Sequence, residues 1–505
     1  MLKRHVLWLM VVFLLISNTL VTLSISIAIV SMVNTRNTTN SSTNAVSENS
    51  VHVVCPHTDF FLREYISSAN SSGFLSSSTN ISQNNAEVRR EGFDWTEAEQ
   101  NMVLSGFFRL NYLSILAGGV LAQKYGSKLV VGYTQFTISV LCSLIPFAAE
   151  YGSEIVSWVR AVQGLLSSIA APTAVFTIIG NWSPPQERGK FGATFMVGIS
   201  LGEALGSFLF GYIGEYMHWK YIFHFTSICG IIWSILWYFL IHDSPKQHPT
   251  ISTLEKEYIE SSLKASSHKI KASIPWRHII TSVPFIICVL SVNSAMWAFV
   301  MLNTYSPLYL KTIYGMNSNE IGIISSVPFI STIVVALGIA HYSDLFVKKK
   351  WLSMTSMRKI CTFLGCVVAA FPMIIIAFTK CNLTVAILSM LFVCVVRVFG
   401  NFGVVLGVMD LSPKFCGVLE GIIGTLSAVH MFAFSTAVNY FTEIWDIEEM
   451  WKVLFLFTAL YCMLTNMVYV IFGTSEEQPW NFEKNIHEKH DSDAILKELK
   501  TLVQK

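Results

Sequence analysis

Arg160 is the residue whose type and position most directly suggest chemistry in this chain. It lies inside the apolar run from Ser153 to Trp182, which is long enough to cross a membrane. An arginine near the centre of a membrane helix costs about 2.5 to 3.5 kcal/mol on insertion scales, so it needs a partner. Either a fixed acid pairs with it, or it faces an aqueous cavity and binds a mobile anion, because the planar guanidinium suits carboxylate and phosphate.

Other charged residues lie inside similar runs. Arg109 is about ten residues into the second run and Arg397 about thirteen into the tenth, which at roughly 1.5 Å per residue places both near the middle of the membrane. Glu203 lies midway through the fifth run, between Gly202 and Gly206. Two interpretations follow. Glu203 forms a structural ion pair with one arginine, or these groups line a cavity in which the three arginines bind substrate and Glu203 carries a coupled proton.

The composition requires membrane helices to position these residues. Of 505 residues, 52% are hydrophobic and only 13% are charged, and the mean hydropathy is +0.52. Soluble domains contain roughly 25% charged residues, so the composition predicts an all-α polytopic protein in a lipid bilayer. The net charge of +2 gives no indication of a nucleic-acid partner. The absence of G-x-x-x-x-G-K-S/T, H-E-x-x-H and zinc-type spacings argues against a pump, an enzyme, a cofactor or a metal.

Twelve apolar segments of membrane length recur along the chain. They are roughly 6–33, 100–122, 129–149, 153–182, 191–212, 221–241, 279–305, 321–341, 360–379, 383–409, 415–440 and 451–472. The first exceeds the roughly 7 to 15 residues of a signal-peptide core, so we interpret it as a retained helix.

Two signals predict the same orientation. Lysines and arginines concentrate in the connections that are cytoplasmic if the N-terminus is cytoplasmic. The predicted glycosylation sites then fall on the opposite side: Asn37, Asn40, Asn70, Asn80 and Asn382. Of the ten cysteines, only Cys55 and Cys381 could meet in an oxidising compartment.

The polar stretches predict the domain organisation. The predicted parts are the N-terminus with helix 1 (1–33), a glycosylated luminal or extracellular loop (34–93), the rest of the first six-helix half (94–242), a cytoplasmic central loop (243–278), the second six-helix half (279–473) and a cytoplasmic tail (474–505). Within the central loop, Ser252 and Glu255 have capping-box spacing. In each half a glycine and a charged turn occur between the second and third helices, near Gly118 and Gly338, and this repetition indicates pseudo-symmetry and a binding site between the halves.

The chain resembles the anion:cation symporters of the major facilitator superfamily, the group of sialin, the vesicular glutamate transporters and the type I sodium-phosphate cotransporters. The resemblance rests on motifs in a fixed order that covers nearly the whole chain outside the glycosylated loop and the tail. They include Phe93-Asp-Trp95, Gly118 to Lys128, Arg160-x-x-Gln163-Gly164, Trp182-Ser-Pro-Pro-Gln-Glu187-Arg188, Asp243-Ser-Pro245, Ile274-Pro-Trp276, Pro307-x-Tyr309 and Asp410-Leu-Ser-Pro413. The resemblance implies a major facilitator fold of twelve helices in two pseudo-symmetric halves.

The chain departs from that family at most of its membrane charges. Members usually carry an arginine in helix 1, a histidine in helix 2, a glutamate two turns after the helix 4 arginine and often an arginine in helix 7. The corresponding residues here are Thr22, Leu104, Ser167 and Ala295, and only Arg160 is kept.

The predicted function is secondary transport of a small organic or inorganic anion, a carboxylate or phosphate, by alternating access, coupled to Na⁺ or H⁺. The alternative is an uncoupled facilitator, or a receptor or scaffold that keeps the fold without transporting. The resemblance implies the plasma membrane or a lysosomal or vesicular membrane.

Overall fold

The computed structural model describes residues 3–33, 55, 92–170, 175–182, 188–266, 274–349, 352–379, 381–412 and 415–482. Within these ranges the chain is helical apart from its connecting turns, and an isolated β-bridge joins Val33 to Phe93. The all-α prediction is therefore confirmed. Four of the predicted glycosylation sites lie outside the described residues: Asn37, Asn40, Asn70 and Asn80.

The helical segments of the bundle are numbered here as spans 1 to 12. They are Lys3–Met32 (span 1), Glu97–Gly106 with Asn111–Tyr125 (span 2), Ser127–Tyr151 (span 3), Ser153–Ile169 with Val175–Trp182 (span 4), Arg188–Tyr216 (span 5), Lys220–Leu240 (span 6), Val283–Tyr314 (span 7), Ser318–Lys348 (span 8), Met354–Phe378 (span 9), Leu383–Leu411 (span 10), Cys416–Ile444 (span 11) and Ile447–Phe472 (span 12). Spans 1 to 6 form the first half and spans 7 to 12 the second.

Ten helices in the described part are long and apolar enough to cross a membrane, and spans 2 and 4 complete the set as interrupted segments. Residues 107–110 form a turn within span 2. Three spans of the second half contain a π-helical stretch: Met301–Tyr305 in span 7, Phe363–Val368 in span 9 and Asn401–Val405 in span 10. Such stretches are frequent at functional sites.

Small residues let the spans approach closely. Gly202 of span 5 packs against the backbone of span 1. A Cβ at residue 202 would lie 3.0 Å from the Cα of Ile16. Across the two halves, Gly211 of span 5 faces Gly322 of span 8, where a Cβ on Gly211 would lie 2.7 Å from the Cα of Gly322. Spans 5 and 8 therefore meet backbone to backbone along the boundary between the halves.

We name the two ends of the bundle by the predicted orientation, so that the luminal end carries Val33, Cys55 and Asn382. At this end the halves are joined by several contacts. The Lys311 ammonium donates to the Val33 carbonyl at 3.3 Å, and the Asn101 amide donates to the Thr442 hydroxyl at 2.8 Å. These contacts close the bundle on the luminal side.

A disulfide joins Cys55 to Cys381, with Cα atoms 5.3 Å apart. This confirms the pair that the sequence singled out. Cys55 also donates its backbone N–H to the Ile313 carbonyl at 2.9 Å. The first luminal loop is thus bound at residue 55 to the second half of the protein.

At the cytoplasmic end, carboxylates from the connection between the halves cap helices of the first half. Glu255 of the linker helix (Thr253–Ser266) accepts the backbone N–H groups of Lys3 and Arg4 at 3.0 and 3.1 Å. Asp243 accepts the N–H of Lys128 at 2.7 Å. These N–H groups have no partner within their own helices, so the acids satisfy them and complement the helix dipoles.

The predicted capping box is formed in one direction only. The Ser252 hydroxyl accepts the Glu255 N–H at 3.2 Å, but the Glu255 carboxylate binds span 1. In the second half, the corresponding end is held by an ion pair between Arg358 and Asp410 at 2.9 Å.

Candidate functional site

Arg160 is enclosed by its own half of the protein. Its guanidinium is 1% exposed and donates to the carbonyls of Val21 at 2.8 Å and Thr22 at 3.2 Å, and to the Gln163 side chain at 3.2 Å. It also lies 4.9 Å from the centre of the Phe107 ring. Arg160 therefore joins spans 1, 2 and 4 through neutral groups, and its partners are backbone carbonyls where the sequence suggested a fixed acid or an anion.

The interruption of span 2 is what brings Phe107 to Arg160. The turn at 107–110 places the Phe107 carbonyl directly against Gly164, where a side-chain methyl group would overlap it. Gly106 packs in the same way on the Ser157 backbone, 2.7 Å from where its Cβ would lie. The glycine after Arg160-x-x-Gln163 thus permits the close contact of spans 2 and 4.

This chain has neutral groups at the positions where the anion:cation symporters usually carry charges. Ser167 donates to the Asn18 side chain at 2.9 Å, and Leu104 is buried in the apolar core. Thr22 contributes its carbonyl to Arg160. The first half has therefore replaced those charges with neutral hydrogen bonds and apolar packing.

Arg109 lies on a different face of the bundle from Arg160. Its guanidinium is 5.4 Å from the centre of the Trp158 ring, and Trp158 is 56% exposed. Trp158 and Arg160 are two positions apart in a helix and so point in nearly opposite directions. The structure does not bring Arg109 together with Arg160, and the expectation that the two share one cavity is not met.

Glu203 lies at the boundary between the halves. It is 5% exposed, and its carboxylate accepts a hydrogen bond from the Asn303 amide at 2.6 Å. Glu203 belongs to span 5 of the first half, whereas Asn303 lies in the π-helical stretch of span 7 in the second half. This buried hydrogen bond links the two halves.

Arg397 of span 10 completes this group. Its guanidinium lies 5.0 Å from the centre of the Phe299 ring, one turn before Asn303, and its charge acts on Glu203. Arg397 and Glu203 do not form a direct ion pair within 4.0 Å in the described part of the chain. We call Glu203, Phe299, Asn303 and Arg397 the seam site. Of the three arginines singled out by the sequence, only Arg397 is found near Glu203.

The seam site contains polar atoms without partners. Among the described residues, Nε of Arg397 and Oδ1 of Asn303 are buried and make no hydrogen bond. The Ser207 hydroxyl, one turn after Glu203, is buried without a partner as well. Unsatisfied buried groups cost free energy, so they mark a place where a ligand or water would bind favourably.

Sequence reasoning missed Asn303 and Phe299. The available signal was an amide inside the apolar span 7, since Asn303 follows Ala298-Phe-Val-Met-Leu302 directly. An amide in such a run has to find a partner, but the sequence does not show which helix supplies it.

The remaining sequence predictions concern the glycosylation site at Asn382 and metal binding. Asn382 is exposed at the luminal end, and its side-chain oxygen accepts the N–H of Val385 at the start of span 10. No group of three or more His, Cys, Asp or Glu residues that could hold a metal occurs in the ranges that the structure describes.

Two histidines form a cluster at the cytoplasmic end. The rings of His242 and His248 are 4.8 Å apart, and Trp182 donates to the His242 carbonyl at 2.8 Å. Burial, followed by the neighbouring His242 and Lys3, lowers the pKa of His248 below its ordinary value. Burial and Lys128 lower the pKa of His242 likewise. The lowered pKa values favour the neutral form of both rings, which pack beside Trp182 where the connection between the halves begins.

Comparison with known proteins identifies relatives over most of the chain. The family model of the Major Facilitator Superfamily matches residues 59–429. Human sialin is 29% identical over 401 residues, which cover 79% of this chain and 80% of sialin. Vesicular glutamate transporter 2 of Bos taurus is 29% identical over 413 residues, which cover 79% and 70%. Sodium-dependent phosphate transport protein 3 of Mus musculus is 27% identical over 403 residues, which cover 79% and 83%.

Solved structures have the same fold. A crystal structure of a D-xylose-proton symporter superposes with a TM-score of 0.64 at 14% sequence identity, covering 94% of this chain and 99% of that chain. At this level of identity the similarity concerns the fold alone.

Proposed function

The chain belongs to the Major Facilitator Superfamily, and from this premise we propose that it carries a small organic or inorganic anion across its membrane by alternating access. It is a multi-pass membrane protein of the plasma membrane or of a lysosomal or vesicular membrane, and it is not an enzyme. Two of its relatives are named for glutamate and for phosphate, which are both small anions. These names support a carboxylate or a phosphate as the substrate class.

The observation that carries the proposal is the seam site. Glu203 comes from the first half, and Asn303 and Arg397 come from the second. Alternating access requires the halves to move against each other around a central site. Because the seam site is assembled from both halves, the distances between its side chains change when the halves move.

The chemistry of the site supports co-transport of a proton and an anion. Arg397 is a cation whose neighbouring carboxylate is hydrogen-bonded to Asn303 and not to the guanidinium itself. When Glu203 takes up a proton, its charge disappears and Arg397 is left without a counter-charge. A substrate carboxylate or phosphate then binds to the planar guanidinium, which can donate two parallel hydrogen bonds. Loss of the proton restores the competing carboxylate and favours release of the anion.

The two other arginines receive different roles in this proposal. Arg160 holds spans 1, 2 and 4 together in the closed state, because its donors are directed at carbonyls of span 1. It could bind substrate only after span 1 moves away. Arg109 stacks on an exposed tryptophan and is assigned no contact with the anion.

The coupling ion is proposed to be the proton, with Glu203 as its carrier. Sodium is the second candidate, supported by the name of one relative, a sodium-dependent phosphate transporter. The two ions predict different gradient dependence, so transport assays can separate them.

The test is uptake of radiolabelled glutamate and phosphate into vesicles that contain the purified protein, with an imposed pH gradient, an imposed sodium gradient or neither. We expect accumulation driven by the pH gradient in the parent. Glu203→Gln mimics the protonated form and should retain anion exchange while losing uphill accumulation. Glu154→Gln, at an exposed glutamate of span 4, is the matched control and should behave like the parent.

Two outcomes would contradict the proposal. Gradient-driven accumulation that is unchanged in Glu203→Gln would remove Glu203 from the coupling mechanism. Accumulation that follows the sodium gradient alone would replace the proton by sodium.

A further inference from the structure

Lys311 is a buried cation at the luminal contact between the halves. It lies in the last turns of span 7 and is only 9% exposed. Among the described residues its ammonium has one hydrogen-bond partner, the Val33 carbonyl at 3.3 Å, although an ammonium group has three donors. No carboxylate lies within 4.0 Å of this ammonium in the part of the chain that the structure describes.

The other luminal lysines provide a contrast. Lys452 pairs with Glu449 at 3.2 Å, and Lys220 pairs with Glu150 at 3.3 Å. Both are partly exposed to solvent, where a paired charge costs little. Lys311 instead is buried, and a carbonyl is the one partner that its ammonium has in the described ranges, which is an expensive arrangement for a cation unless the charge has a use.

The carbonyl partner explains why the lysine is tolerated in the closed state. Span 1 ends at Met32, so the Val33 carbonyl lies at the negative end of the helix dipole. A cation at this end of a helix is stabilised by the unpaired carbonyl groups. This partner belongs to the first half, whereas Lys311 belongs to the second.

The contact therefore cannot survive opening of the luminal side. When the halves separate there, Val33 moves away from Lys311, and the ammonium faces luminal water with three free donors. We propose that Lys311 then acts as the luminal anion-capture residue, which binds the carboxylate or phosphate oxygen of the substrate before it reaches the seam site. This inference rests on the proposed function, because it assigns a step to the same anion.

The surroundings of Lys311 suit such a role. Tyr309 and Trp451 pack edge to face at 5.3 Å, and Trp451 donates to the Thr312 hydroxyl at 3.1 Å. Tyr309 and Lys311 are two positions apart in a helix and so point in nearly opposite directions, which leaves the lysine on the face of span 7 that meets span 1. An anion that replaces the Val33 carbonyl would therefore approach from the opened boundary between the halves.

The test compares Lys311→Met and Lys311→Arg with the control Lys452→Met in vesicles of a single orientation. Uptake of glutamate and phosphate is measured from the luminal face and, separately, from the cytoplasmic face. We expect Lys311→Met to raise KM at the luminal face about tenfold, as for loss of one charge-assisted hydrogen bond, while KM at the cytoplasmic face stays within about twofold. Lys311→Arg should restore most of the luminal affinity.

A purely structural role predicts a different pattern. If Lys311 only stabilises the closed bundle, Lys311→Met would change the maximal rate or the folded yield and leave the ratio of the two KM values as in the parent. That result, or an equal rise at both faces, would overturn the inference.

A labelling measurement separates failure of this inference from failure of the proposed function. The parent is treated with a membrane-impermeant acetylating reagent from the luminal side, with and without inorganic phosphate, and acetylation is quantified at Lys311 and Lys452 by mass spectrometry. Slower acetylation of Lys311 in phosphate, with Lys452 unaffected, supports anion capture even if neither anion is transported. Absence of protection by phosphate would overturn the inference whatever the transport result.

Discussion

Arg160 and Arg397 occupy the fourth span of their respective halves, yet their surroundings differ completely. Each guanidinium lies about 5 Å from a phenylalanine ring, at 4.9 Å for Phe107 and 5.0 Å for Phe299. Arg160 directs its hydrogen bonds at carbonyls of its own half. Arg397 instead lies near a carboxylate of the other half, while Nε of both arginines is buried without a hydrogen-bond partner among the described residues. The comparison teaches that the type of residue and its position in the repeat do not determine its role; its neighbours do.

The difference extends to the backbone. Span 10 passes into a π-helical stretch directly after Gly400, and span 7 does so around Asn303. A π-helical stretch shifts the register of a helix and redirects its side chains. The second half therefore supplies both the cation and the irregular backbone of the seam site, while the first half supplies the acid.

The largest expected effect comes from Arg397→Lys. A point charge cannot reproduce the bidentate fork, so we expect the initial rate of anion uptake per folded molecule to fall by about 100-fold. The folded yield should stay near that of the parent, since Arg397 has few protein partners. Uptake that persists in a well-folded Arg397→Ala protein would place the anion elsewhere.

Arg160→Met should produce the reverse pattern. Loss of several charged hydrogen bonds in a buried site is expected to lower the free energy of unfolding by about 2 kcal/mol. The rate per folded molecule should then change much less than in Arg397→Lys. Thermal unfolding in detergent and uptake normalised to folded protein would check both statements. A stable Arg160→Met protein that does not transport would show that both arginines are needed for transport.

Each half contains a glycine that packs directly on another helix, and we expect substitution of either glycine to lower stability in the same way. Gly164→Ala would overlap the Phe107 carbonyl, and Gly365→Ala would overlap the Gly400 backbone N. Both changes force two helices apart, at a typical cost of about 1 to 3 kcal/mol. Gly338→Ala, where no described atom lies within 4 Å of the added methyl group, is the matched control and should not lower the melting temperature, because alanine is the better helix former.

The smallest expected effect concerns the cytoplasmic caps. Glu255→Gln removes the charge that caps span 1, and Asp243→Asn does the same for span 3. Each should lower the free energy of unfolding by about 0.5 to 1 kcal/mol, because a neutral side chain still accepts the hydrogen bond but interacts more weakly with the helix dipole. A loss well above this range would show that the linker helix does more than cap the first half.

The sequence was sufficient to predict the spans, the disulfide partners and the isolation of Glu203 inside an apolar run. Those features follow from local composition, because an apolar segment and any charged residue inside it can be recognised from the neighbouring residues alone. It was not sufficient to predict that Glu203 meets Asn303 and Arg397. That meeting depends on the register of span 5 against spans 7 and 10, which long-range packing decides. The position of Arg109 was missed for a related reason, since the turn after Gly106 changes the face on which the residue lies.

The disulfide between Cys55 and Cys381 ties the first luminal loop covalently to the second half. The chain from Val33 to Cys55 can reach about 70 Å when fully extended, more than twice the thickness of a membrane core of about 30 Å. The bond fixes residue 55 of the loop to the second half. Its effect is on covalent connectivity. A cut between residues 56 and 91 leaves the protein as one covalent molecule until the disulfide is reduced, whereas a cut between residues 34 and 54 separates the first span at once.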